Sequence, residues 1–392
     1  MKVLFLTKWY PVRNKPQNGN FIRKHAQAVS LLCDVYVLFA CPSDTINSVE
    51  TVQNKEKNFS ELIIYYPCVK SRIKIISGFL KLVKYFYYTF KGISIIFNEN
   101  GKPDIVHVNI LTRPGIVAYF LKIFYKIPYI ITEHWTGYLQ ENLKYKGFLK
   151  IFLSRFIVKN ASALTAVSQS LKKAMENCGL KHKIFEIIPN VVDTELFVPS
   201  EIQNLSEIKK IIHISNFKDR HKNVSGILRT IAKVSQIRQD FRLHIIGSSN
   251  QIHEFEQFAQ NLELFNKFVF FEGLKEPEEV AEILKNSSFL LMFSNFETFL
   301  IPLAESLSCG IPVIFTECGT CLDSLENSLE NSFGKKVQPS NENELFNAIF
   351  YMLDNYKTFD RKKLREFSEK NFEIQNVAKK VLDLYNQILK NG

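Results

Sequence analysis

The run Phe289-Leu-Leu-Met-Phe-Ser-Asn-Phe-Glu297-Thr-Phe-Leu-Ile-Pro302-Leu-Ala-Glu305-Ser-Leu-Ser-Cys-Gly310-Ile-Pro-Val-Ile-Phe315 spells out one complete structural unit. Phe289–Met292 is an apolar run of strand length, and Val313–Phe315 is another. Between them Pro302 suits a first helical turn, where its missing N–H is not needed, and Gly310 suits a helix end. Strand, helix and strand in that order form a βαβ unit, and such units build parallel sheets. Ligands of parallel α/β sheets bind beyond the carboxyl ends of the strands. The loop Ser294–Ile301 is therefore where chemistry is sought, at a helix N-terminus whose free N–H groups and positive dipole end suit a diphosphate. Glu297 falls in that loop and Glu305 about one turn inside the helix, so both can face one ligand. Two surface carboxylates on a solvated helix explain the spacing equally well.

Working outward, apolar runs of strand length alternate with amphipathic stretches along the whole chain. In the second half the runs are Ile211–Ile214, Leu243–Ile246, Val269–Phe271, Phe289–Met292 and Val313–Phe315. In the first half they are Val3–Leu6, Val35–Phe39, Leu62–Tyr66, Ile105–Val108, Tyr129–Thr132, Ala163–Val167 and Phe185–Ile188. The segment Ile188–Pro199 carries two prolines and breaks the periodicity. The expected fold is α/β with two parallel-sheet domains, residues 1–200 and 201–392.

The 392 residues exceed what one core comfortably supports, and 46% hydrophobic with 23% charged residues describes an ordinary globular chain. Met1–Tyr10 has a Lys inside its apolar stretch and no small-residue cleavage site, so it reads as a first strand, not a signal peptide. With no apolar run of spanning length, a cytoplasmic protein is expected. Seven cysteines at irregular spacing fit reduced thiols, and Cys318-Gly-Thr-Cys321 lacks the second pair that a zinc site would need. The net charge of +11 is uneven: residues 1–198 hold 27 Lys and Arg against 13 Asp and Glu, while the remainder is mildly acidic. A polyanionic partner, nucleic acid or an anionic membrane, fits this basic half, and so does simple solubilisation by Lys. Within it, Lys70–Phe97 interleaves Lys70, Arg72, Lys74, Lys81, Lys84 and Lys91 with aliphatic and aromatic residues. That pattern suits a helix in a lipid interface, or a core helix with a solvated Lys face.

Glu297-x-Phe-x-Ile-Pro-x-x-Glu305 followed by Ser308-x-Gly-x-Pro-Val resembles the donor-site signature of the retaining glycosyltransferase family 4, of the GT-B fold, also called glycosyl transferases group 1. The resemblance implies that Glu297 lies beside the donor sugar, that Glu305 binds the ribose hydroxyls, and that the amides of Phe299 and Leu300 meet the diphosphate. Thr298 and Leu300 stand where the family often has glycine. Ile212–Asn223 resembles the family's phosphate loop, with Lys222 in the place of its Lys, Asn216 in the place of its Arg, and Arg220 or Lys218 as substitutes for the latter. Gly19 resembles the family glycine at acceptor and diphosphate. His134, just past a strand, resembles the His at the reaction centre, although a lone His is more often structural. His107 and Asn109 resemble a weaker, acceptor-binding position, with a half-buried strand as the plain reading. Ile188-Pro-Asn-Val-Val-Asp193 and Phe197 resemble the family segment before the second domain.

What the resemblance implies is a pair of Rossmann-like domains with parallel sheets facing across a cleft, the last helix packing back on the first domain, in a metal-independent enzyme without cofactor. The chain has no Asp-x-Asp, the pattern that holds a divalent ion in the other large glycosyltransferase fold. The expected reaction moves a hexose from a UDP- or GDP-sugar to a hydroxyl of a glycan or lipid-linked saccharide, with retention. The expected setting is surface polysaccharide biosynthesis, peripheral on the cytoplasmic face of a membrane. A nucleotide-sugar epimerase or a phosphorylase would use the same fold. A non-enzymatic nucleic-acid-binding protein would explain the basic half, yet no helix-turn-helix, zinc or RNA-recognition signature is present, so nucleic acid is not an expected partner.

Overall fold

The computed structural model describes residues 1–69, 73–200, 207–322 and 332–390. Lys70 and Arg72 lie outside them, and the expected boundary near residue 200 adjoins the undescribed 201–206. The first domain runs β1 (Lys2–Thr7), α1 (Asn20–Ser30), β2 (Asp34–Ser43), β3 (Glu50–Lys55), β4 (Phe59–Pro67) and α2 (Lys74–Asn100). It continues with β5 (Ile105–Asn109), α3 (Thr112–Tyr125), β6 (Tyr129–Glu133), α4 (Phe148–Asn160), β7 (Ala163–Ala166), α5 (Gln169–Asn177) and β8 (Phe185–Ile187). The second comprises β9 (Lys209–Ile214), α6 (Asp219–Lys222), α7 (Val224–Ser235), β10 (Phe241–Ile246), α8 (Ile252–Asn261), β11 (Val269–Gly273) and α9 (Pro277–Lys285). After these come β12 (Phe289–Met292), α10 (Ile301–Ser308), β13 (Val313–Thr316), β14 (Gly334–Val337), α11 (Glu342–Asn355), α12 (Arg361–Phe372) and α13 (Ile374–Lys390).

Among the described residues the strands form two sheets, ordered β3-β4-β2-β1-β5-β6-β7-β8 and β11-β10-β9-β12-β13-β14. All neighbours in both are parallel except the β3–β4 edge pair. The central strands are buried on both faces, which is why they read as unbroken apolar runs. Each strand expected from the sequence occurs. Two more were not legible: β3, Glu-Thr-Val-Gln-Asn-Lys, is a half-exposed edge, and β14, Gly-Lys-Lys-Val, buries only its ends.

One face of the first sheet packs on α2 to α5 through Ile93, Ile96, Val117, Leu121, Ile157 and Leu171. This cluster continues through Val192 and Phe197 of the connecting segment into α10 and α12. Arg365 fastens that segment by donating to the carbonyls of Phe197 and Thr194. The opposite face carries α1 and α13, so the last helix leaves the second domain and buries Val377, Val381, Leu384 and Tyr385 against Val3, Phe5 and Val35. Helix α2 is apolar on two sides: Tyr85, Ile93 and Ile96 face the core, while Ile75, Phe79, Val83 and Tyr87 form an exposed stripe.

Candidate active site

In the second domain the loops after β9 and β12 are sewn to each other. The Asn295 N–H donates to the His221 carbonyl at 2.8 Å, and the Asn295 side chain donates to the Arg220 carbonyl at 3.1 Å. Phe296 stacks on the His221 ring, centroids 4.7 Å apart. From below, the Glu297 N–H donates to the Cys318 carbonyl at 2.6 Å, and a Cβ at Gly319, with φ 88°, would collide with the Glu297 carbonyl. The C-x-x-C segment thus serves as backbone support, and none of the seven cysteines forms a disulfide.

This scaffold brings Lys222, at the end of α6, to the Glu297 carboxylate. Lys222 Nζ lies 2.6 Å from Oε1 and His221 Nε2 lies 3.3 Å from Oε2. Both Lys222 and Glu297 are buried. Burial would push the Glu297 carboxyl up, but Lys222 and His221 prevail and hold it down at about 2. The carboxylate is charged at any physiological pH.

Helix α10 begins at Leu300, which adopts the left-handed conformation at φ 63° where family members often have glycine. Pro302 occupies the first turn, as its missing N–H allows. The Phe299 ring is buried and meets Phe372 edge-on at 5.4 Å, anchoring the helix start to α12. One turn in, Glu305 faces the first domain, its Oε1 3.9 Å from Lys24 Nζ on α1. Burial pushes its carboxyl up, and Lys24 only partly offsets this. Glu305, Asn216, Lys222 and Pro302 line an interdomain cleft of about 380 Å³, closed on the first-domain side by Gln17, Asn20 and Lys24.

Gly19 caps α1 with φ 72°, and a Cβ there would stand 2.6 Å from the Trp9 carbonyl carbon, so only glycine fits. His134 follows β6 and is buried, its Nε2 3.3 Å from Asn109 Oδ1 and its ring 4.7 Å from Phe21 and 5.7 Å from His25. Burial, then the neighbouring His25 and His107, push its pKa well below the usual range, so the ring is neutral. The adjacent Glu133 is fully buried and accepts from the N–H groups of Leu111, His134 and Trp135 and from the Tyr138 hydroxyl. It fixes the loop that carries His134.

Two groups of expected residues lie elsewhere. His107 sits inside the sheet with both ring nitrogens engaged, Nδ1 2.6 Å from Tyr385 Oη and Nε2 2.6 Å from Thr132 Oγ1, so it does not reach the cleft. Asn109 is equally buried and meets His134 instead. Arg220 reaches 3.5 Å to the Glu141 carbonyl of the first domain, away from the cleft wall that Asn216 forms. Conversely, Lys24, His221 and Glu133 were passed over in the sequence. Lys24 stands five residues after Gly19 and His221 inside Ile212–Asn223, but nothing in one dimension shows that they face Glu305 and Glu297.

A family model described as Glycosyltransferase Family 4 matches residues 28–196, and one described as Glycosyl transferases group 1 matches residues 200–372. N-acetyl-alpha-D-glucosaminyl L-malate synthase of Bacillus anthracis is 29% identical over 227 residues, 55% of this chain and 57% of that enzyme. Alpha-monoglucosyldiacylglycerol synthase of Streptococcus pneumoniae is 24% identical over 308 residues, 74% of this chain and 68% of that protein. Among solved structures, sucrose-phosphate synthase of Thermosynechococcus elongatus superposes with a TM-score of 0.79 at 19% identity, covering 100% of both chains. HepE of Anabaena, in complex with UDP and glucose, gives 0.72 at 15% identity over 98% of this chain and 99% of that one. With one family model on each domain and GT-B enzymes matching the whole architecture, the chain belongs to glycosyltransferase family 4.

Proposed function

We propose that this enzyme moves a sugar from a UDP- or GDP-sugar to a hydroxyl of a glycan or lipid-linked saccharide, with retention and without a metal, in surface polysaccharide biosynthesis on the cytoplasmic face of a membrane. The observation that carries this reading is Lys222, which lines the cleft together with Glu305 and Asn216 and pairs at 2.6 Å with the buried Glu297 carboxylate. UDP in the HepE complex supports the uridine form of the donor. The lipid in the pneumococcal relative's name supports a lipid-borne acceptor.

In this reading Glu305 meets the ribose hydroxyls, and the Phe299 and Leu300 amides, with Gly19 opposite, meet the diphosphate. As the bond from the anomeric carbon to the diphosphate oxygen breaks, negative charge grows on that oxygen and positive charge on the sugar ring. Lys222 and the positive end of α10 stabilise the first, and the Glu297 carboxylate stabilises the second. The acceptor oxygen bonds to the anomeric carbon on the face that the phosphate leaves, and its proton passes to the departing phosphate oxygen. Neutral His134 offers a hydrogen bond to the transferred sugar. Lys222 supplies the cation for which other folds use a metal.

The test is a panel of UDP- and GDP-sugars incubated with the purified protein, reading release of free nucleoside diphosphate with and without EDTA. One donor is expected to be hydrolysed at a rate that EDTA leaves unchanged. Glu297→Gln is expected to lower that rate by roughly 100-fold or more, the scale on which a preorganised charge acts on a transition state. Undiminished turnover in the variant refutes the role of Glu297, and loss under EDTA refutes metal independence.

A further inference from the structure

Helices α2, α3 and α4 lie side by side on the outer face of the first sheet. Aromatic contacts join them: Phe90 of α2 meets Phe120 of α3 at 6.3 Å, and Tyr119 of α3 meets Phe156 of α4 at 4.9 Å. Their inner residues fill the core, yet their outer residues are also large and apolar. Ile75 is 85% exposed, Phe79 64%, Phe124 72% and Phe148 86%. A groove lined by Phe90, Phe120, Phe124 and Tyr125 runs between α2 and α3. A continuous apolar surface of this kind on a folded chain marks a docking face.

Charge selects what docks. The three helices together hold nine basic residues and one acidic residue, Glu99, near the far end of α2. Lys81 and Lys91 on α2, Lys126 just after α3, and Lys144 and Lys146 just before α4 are all exposed. A second copy of the chain would bring the same basic surface against itself. A nucleic acid would leave the Ile75 and Phe148 side chains in water. An anionic bilayer takes the apolar side chains between its headgroups and the lysines at its phosphates. Among the described residues no helix is long and apolar enough to cross a membrane, so the contact is peripheral.

The face adjoins the reaction centre. Lys150 in the first turn of α4 lies 4.0 Å over the Trp135 ring, the residue after His134. The loop that joins them, with Tyr138 and Glu141, lines a second interdomain cavity of about 540 Å³ that Asn295 and Glu317 close from the other domain. We propose that α2, α3 and α4 dock as one face on an anionic phospholipid bilayer, setting the Tyr138–Leu143 loop at the lipid surface where a lipid-linked acceptor enters. This rests on the lipid-linked acceptor of the proposed function, but its test does not depend on turnover.

Full-length protein is sedimented with phosphatidylglycerol vesicles and with phosphatidylcholine vesicles, at low and at high salt. Wild type is expected to bind the anionic vesicles alone and to be released by salt. The double variant Phe124→Glu/Phe148→Glu is expected to lose at least tenfold in binding. Ile237→Glu, at an exposed apolar residue of the second domain, is expected to bind as wild type. Circular dichroism spectra and thermal melts are expected to coincide in all three, which shows that they are folded and keeps this result separate from the reaction. Equal binding to neutral vesicles, undiminished binding of the double variant, or a solution dimer that the double variant dissociates would each overturn the proposal.

Discussion

Lys222 and Glu297 are 75 positions apart, and each is expected from the sequence to be a site residue. Their 2.6 Å contact is not, because it depends on α6 ending where the β12 loop begins. The contact makes the two substitutions unequal. Lys222→Met leaves a buried carboxylate without its cation, and breaking a buried pair in this way costs about 3–5 kcal/mol. Glu297→Gln keeps an oxygen for the ammonium to meet and leaves Lys222 able to extend along the open cleft. Urea unfolding at neutral pH is therefore expected to show the larger loss for Lys222→Met, and equal losses would contradict the asymmetry. The wild-type advantage is present above pH 4.5 and is lost as pH falls toward about 2, because the folded carboxyl is held below its unfolded value.

At the scale of elements, apolar runs located the buried parallel strands because a strand covered on both faces has no polar position to confuse the reading. The same logic hid β3 and β14, whose edge positions leave Lys, Gln and Glu facing water. The start of α10 shows a subtler limit. Leu300 departs from the family glycine in letter yet adopts a left-handed backbone, a conformation that costs a non-glycine residue about 1–2 kcal/mol. Its side chain is buried, which offsets that cost. Leu300→Ala retains the strain and forfeits the contacts, whereas Leu300→Gly forfeits the contacts and relieves the strain. The glycine variant is expected to be the more stable of the two by roughly 1 kcal/mol in urea unfolding, with both below wild type. A more stable alanine variant would mean that the position carries no strain. The enlarged space beside the helix end is also expected to change KM for the donor more in Leu300→Gly than in any substitution on the outer face of α2.

Across the whole molecule, the two domains share one continuous core, and α13 ties the end of the chain to the first sheet. Sealing that core traps histidines. Burial first of all pushes His25 down to about 4, His107 to about 3, His213 to about 4, and His134 well below its usual value. In the unfolded chain each returns to about 6.5. Because the folded values are lowered, their contribution to stability is complete above pH 6.5 and is lost as pH falls from there through the folded values. The slope approaches about 1.4 kcal/mol per pH unit for each histidine. Glu133 and Glu305, raised by burial, act with the opposite sign above pH 4.5. Thermal melts are thus expected to be flat between pH 8 and 7 and to fall steeply between 6.5 and 5. Self-repulsion of a chain with net charge +11 would bend the curve the same way, so the series needs a high-salt arm. At 1 M salt, screening shortens to about 3 Å and removes repulsion between surface charges, while the protonation of buried rings is untouched. A fall in Tm that persists in salt belongs to the histidines, and one that vanishes belongs to the surface, which would remove them as the source of acid lability.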